Sequence, residues 1–145
     1  MKTIALRFGE TFSPDCGTIA THQSIIDQFG FVWYGKLGTA VSDKVIKEMM
    51  QSDDPMFLLI RSGKHERYWV HFSNVSTSRP ALSEYPQYYA EKADAMKTWF
   101  KVTRIEPAAK DVMSHCFVAS SGKSLSEASR QSMSPYFIID YKEDE

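Results

Sequence analysis

The sequence is poor in the features that usually announce a chemistry. Two cysteines in 145 residues, Cys16 and Cys116, are too few for a disulfide framework. Seventeen basic residues stand against eighteen acidic ones, a net charge of −1. The broad basic footprint of a protein that grips long stretches of phosphate backbone is therefore missing. The longest apolar run, MFLLI from Met56, is far below the ~20 residues that cross a bilayer, and no membrane partner is expected. The opening MKTIALRFGE is broken by Arg7 and Glu10 before it can form the apolar stretch of a secretory leader. Together these absences read as a reduced, cytoplasmic chain with a single domain over residues 1–140 and a flexible acidic tail at 141–145. The last six residues, DYKEDE, hold four acids and one lysine, a net −3, and without them the chain carries +2.

Catalytic signatures are missing too. ASSGKSL, from Ala119, looks like a phosphate loop, but Phe117 stands where the first glycine of that motif belongs. A turn and a helix cap are the plain reading, and Ser120, Ser121 and Lys123 at a helix start are the anion-holding alternative. None of the four histidines, His22, His65, His71 and His115, has a metal-ligand spacing, so neither metal nor cofactor is expected. No nucleophile elbow is present. A small hydrolase remains an alternative only if His22, His71 or His115 meets a Ser or Cys116 in space.

What the chain does have is aromatic residues, 13% of the total, more than a core of this size needs. Thr3 to Phe8, FVWYGK, MFLLIRS, RYWVHFSNV, TWFKVTRIEPA, CFVAS and PYFIIDY read as strands by their branched and aromatic content. Helices are expected over IATHQSIIDQF, capped by Thr18 and ended by Gly30, over DKVIKEMMQ, capped by Ser42, and over SLSEASRQ, capped by Ser124 or Ser126. GKHE should close a hairpin. STSRPALSEYPQYYAEKADAM forms a long loop with a short helical piece near its end. Without regular strand–helix–strand alternation, the fold class is α+β: a mixed curved sheet or small β-barrel with short peripheral helices.

The pleat sends Tyr68, Val70 and Phe72 to one face of their strand, and Arg67, Trp69 and His71 to the other, whose composition is poor for an interior. Likewise Phe31 and Trp33 oppose Val32 and Tyr34, and Trp99 and Phe100 begin a strand with rings on both sides. Helices cover the surplus rings, or the rings line a site for a planar ligand. Gly35 leaves room for close approach, and Lys36 is placed to meet a phosphate.

In order along the chain, FVWYGKLG after a helix, FLLIRSG, RYWVHFSNV, the Tyr/Pro loop YPQYY, TWFKVTRIEPA and SMSPYFII resemble a small PUA-like barrel of the EVE type, a relative of the YTH domains. The likeness spans roughly residues 1–140, although the opening strand TIALRF lacks the tryptophan common in that group. It implies a reader of nucleic acid that holds a flipped or single-stranded base, often a modified one, in an aromatic pocket. Some members of the group are fused to nucleases or ATPases of defence systems. The expectation is a non-enzymatic nucleic-acid or nucleotide-binding module. Trp33 and Trp69 are its first stacking candidates, with Tyr34 and Trp99 behind them. Ser62 and Asn74 are candidates for base-edge contacts, and Lys36, Arg61 and Lys123 for phosphate. The alternative from another class is a protein-interaction domain or homodimer that uses exposed rings and the SEYPQYY loop.

Overall fold

A computed structural model describes residues 1–8, 17–61, 66–89, 91–132, 134 and 136–142, apart from the Leu82 side chain. Cys16, Ser62, His65 and residues 143–145 of the expected tail lie outside the described residues. The chain runs β1 (Lys2–Phe8), α1 (Thr18–Phe29), β2 (Val32–Leu37), α2 (Asp43–Met50), β3 (Met56–Arg61), β4 (Arg67–Ser76), β5 (Met96–Pro107), β6 (Cys116–Val118), α3 (Leu125–Gln131) and β7 (Tyr136–Tyr141). All seven strands join one mixed sheet in the order β2-β5-β4-β3-β1-β7-β6. Its one parallel pair among the described residues is β1 with β3, in register Ala5 to Leu58.

The local chemistry explains most boundaries. Ser42 and Ser124 accept hydrogen bonds from the Val45 and Glu127 amides, as N-caps should, and Gly30 ends α1 at φ 87°. Thr18 is not a cap: Gly17 holds that position without a side-chain hydrogen bond, and Thr18 is the first, buried residue of α1. The Thr21 hydroxyl donates instead to the Gly17 carbonyl at 2.7 Å. The long loop is organised as three 3₁₀ turns, Leu82–Glu84, Gln87–Tyr89 and Ala93–Ala95.

The sheet curls hard without closing. Rings of Tyr34 and Phe57 lie 5.7 Å apart although β5 and β4 separate their strands. At about 4.8 Å between neighbouring strands, a flat sheet would hold them roughly 14 Å apart. The concave face gathers Ile4, Leu6, Val32, Tyr34, Phe57, Leu59, Val70, Phe72, Phe100 and Val102, with Val45 and Met49 of α2 and apolar residues of α1 over it. On the other face, Ala5, Leu58, Ile60, Trp69, Phe137 and Ile139 form a second cluster with Val112, Met113, Cys116, Leu125 and Ala128. This corrects the expectation for the Arg67–Trp69–His71 face. Trp69 is only 6% exposed and packs 4.8 Å from the Tyr141 ring, because the chain after β5 folds back over it. Burying so large a ring removes about 150–250 Å² from water, on the order of 4–6 kcal/mol of transfer free energy.

Candidate functional site

A third cluster sits under the Tyr/Pro loop: Tyr85, Tyr89, Ala93, Met96 and Trp99, with Trp33 and Tyr88 half-buried at its margin. Trp99 faces Gly35 across the β2–β5 pair. A Cβ on Gly35 would come 2.9 Å from the Trp99 ring and collide with the Met96 sulfur. The space that a side chain at 35 would fill is therefore taken by the chain's own rings, a correction to the reading of Gly35 as a door for ligand. The Trp99 indole donates to the Met96 carbonyl at 3.1 Å, and Tyr85 packs on it at 5.2 Å. Tyr89 anchors the loop. Its hydroxyl lies 2.8 Å from His22 Nε2, while His22 Nδ1 lies 2.8 Å from the Thr18 carbonyl. A carbonyl only accepts, so His22 Nδ1 carries a proton there. Burial, and after it Tyr34 and Tyr88, push the Tyr89 hydroxyl well above its ordinary range, so it stays a donor. Arg79 fastens the loop from outside, donating to the Tyr85 hydroxyl at 2.9 Å and pairing with Asp94 at 3.0 Å.

Beside this covered cluster the same face of the sheet is open. Trp33 pairs with Lys101, and Lys101 with Asn74, so the three form one row across β2, β5 and β4. Trp33 and Lys101 are half-buried and Asn74 is exposed. Lys101 Nζ lies 4.5 Å from the centre of the Phe31 ring. Bulges in the β4–β5 ladder bring the next residues of this face, His71 and Arg104, opposite one another, followed by Trp69 opposite Glu106. The strip thus carries two half-buried rings, two cations and an amide between two covered clusters.

The other expected site residues lie elsewhere. Tyr34 belongs to the concave core. Trp99 is fully buried in the covered cluster beside the row, whereas Trp69 belongs to the second cluster. Lys36 turns inward: Nζ donates to the Leu37 and Thr39 carbonyls at 3.2 and 2.6 Å and sits 4.3 Å over the Tyr136 ring. Desolvation lowers its pKa. Arg61 pairs with Glu66 at 3.2 Å, and Lys123 Nζ donates to Gln131 at 3.0 Å. The ASSGKSL stretch is a turn through Gly122 at φ 72° leading into the Ser124 cap.

His71 binds Asp54 and Glu106, and His115 binds Asp111 at 3.1 Å. Burial pushes the Cys116 thiol up to about 12, with Asp140 adding to the shift, so at neutral pH it is not a thiolate nucleophile. Sequence reasoning put Phe31 on the face of Trp33 without giving it a role, and it did not name Lys101 or Arg104 as members of the strip. Lys101 stands two residues beyond Trp99, and that alternation was the available signal. Its pairing with Trp33 was not, because register between distant strands is not written in either strand alone.

A family model described as Pua-like matches residues 4–143. No curated protein and no solved structure matches the chain.

Proposed function

Because the chain belongs to the PUA-like family, in which RNA binding is usual, we propose that it is a nucleic-acid-binding module that takes a single-stranded segment or nucleotide on the open strip of its sheet. The observation that carries the reading is the row Trp33–Lys101–Asn74. It sets a stacking ring, a cation and a base-edge amide side by side across three paired strands. A base on Trp33 gains on the order of 1–3 kcal/mol from stacking, which every base can supply through its π-face. Lys101 is within one strand spacing for the phosphate, and the Asn74 amide NH2 offers donors to a base edge while its Oδ1, which accepts from the Val75 amide at 2.8 Å, orients the side chain. Arg104 adds a second cation on the same face, flanked at 3.8 Å by the Asp54 and Glu106 carboxylates.

The chain-order likeness to EVE-type domains supports a base, modified or not, as the group recognised. The buried free thiol of Cys116 suits a reducing compartment such as the cytoplasm, where such a module meets nucleic acid. The test is fluorescence anisotropy with short labelled RNA and DNA single strands at low salt, alongside free nucleotides. The proposal expects binding that quenches Trp fluorescence and that Trp33→Ala weakens about tenfold or more, as the stacking energy implies. Equal affinity of Trp33→Ala and the wild type would remove the row from the function.

A further inference from the structure

On the reading above, the strip also carries a feature that binding alone does not use. His71 is buried in the sheet with Asp54 Oδ 2.9 Å from Nδ1 and Glu106 Oε1 3.1 Å from Nε2. Arg104 Nη2 packs against the same ring, 3.1 Å from Nε2, and stands 3.8 Å from a carboxylate oxygen of both acids. The carboxylates come from different elements, Asp54 from the turn between α2 and β3 and Glu106 from β5, and both keep substantial exposure, 65% and 43%. Both therefore keep solvent-exposed oxygens beside Arg104 on the strip.

We propose that Asp54 and Glu106 end the phosphate path at Arg104, so that the strip takes a short segment, about two nucleotides, rather than a through-going strand. From Lys101 to Arg104 the ladder covers three residues, about 10 Å at the usual strand rise. That span offers two cations in succession. Beyond Arg104 the next phosphate meets two like charges held in place by His71, and like-charge juxtaposition is how an interface rejects a wrong partner. The small net charge of the chain agrees with few phosphate contacts. Asp54 and Glu106 are specificity-determining residues in this account, and His71 is a positioning residue that holds both.

The test compares 5′-phosphorylated oligouridylates of two, four and eight nucleotides, so that the shortest already carries two phosphates, over a salt series, on the wild type and on Asp54→Asn, Glu106→Gln and the double variant. Thermal melts confirm that each variant is folded. The wild type is expected to reach its plateau by two to four nucleotides, apart from the proportional gain of sliding registers. Its slope of log K against log salt should lie near about −1.4, two phosphates at about 0.7 each on a single strand. In the double variant the eight-mer should gain over the two-mer, and the slope should steepen by about 0.7 for each phosphate added. A uniform gain at all lengths, or a wild-type affinity that keeps climbing to eight nucleotides, overturns the length limit while leaving the binding reading intact. Failure of every length to bind any of the four proteins overturns the binding reading itself.

Discussion

Gly35 lies so close beneath the indole of Trp99 that a Cβ there would stand 2.9 Å from the ring. This contact fixes how the Tyr/Pro loop, Trp99 and the edge strand β2 fit together, and it makes a methyl group a sensitive probe. Gly35→Ala is expected to destabilise the fold by about 1–3 kcal/mol, the usual effect of overpacking a tight interior. Urea denaturation measures it. An unchanged midpoint would show that Trp99 and Met96 yield easily, and that the loop is not seated as described.

Trp33 and Trp69 should separate cleanly. Trp69→Ala removes a buried ring and is expected to cost about 3–5 kcal/mol of stability. Trp33→Ala, at a half-buried margin, should cost far less stability and mainly lower the affinity for single strands. Paired denaturation and anisotropy measurements decide it, and a collapse of binding in a still-folded Trp69→Ala protein would contradict the assignment.

The two lysines make a similar contrast. Lys101→Gln should weaken oligonucleotide binding and flatten its salt slope by about 0.7. Lys36→Gln leaves the Leu37 and Thr39 carbonyls without their charged donor and should destabilise the protein by about 1–3 kcal/mol, with the affinity of the folded fraction unchanged. A loss of affinity in Lys36→Gln equal to that in Lys101→Gln would count against the strip.

Cys116 sets a pH window. Its thiol titrates at about 12 in the folded protein, against about 8.5 in an unfolded chain. Because the folded value is the raised one, the protonated thiol's contribution is complete below about pH 8.5 and is lost as pH rises toward 12. Stability from urea titrations at pH 8 and pH 10.5 should therefore fall more steeply for the wild type than for Cys116→Ala. Parallel slopes would mean that the thiol is solvated. At pH 8 the native thiol should also react slowly with a thiol reagent compared with the denatured protein.

Much of the fold was legible because its signals are local. Ser42 and Ser124 cap their helices through backbone amides three residues away, and Gly30 takes the left-handed turn that only its own lack of Cβ makes easy. The strands follow from branched and aromatic residues, and the Tyr/Pro loop from its prolines. The candidate site was legible only in part. Trp33 and Asn74 were read from their strands, but Lys101, which joins them in one row, follows from cross-strand register. Trp69 had the same local credentials as Trp33, yet the segment after β5 buries it. Lys36 resembled a phosphate ligand until its neighbours' carbonyls and the Tyr136 ring enclosed it.

The sequence by itself determined the strand and helix segments, the α+β class and the surplus of rings, since propensity, capping and pleat act over a few residues. Only the tertiary structure decided which rings are covered, that β1 runs parallel to β3, and that a tryptophan, a lysine and an asparagine from three strands share one open row. Those outcomes depend on which distant segments pack together. That choice is made by burying the whole chain at once, and no short window of residues contains it.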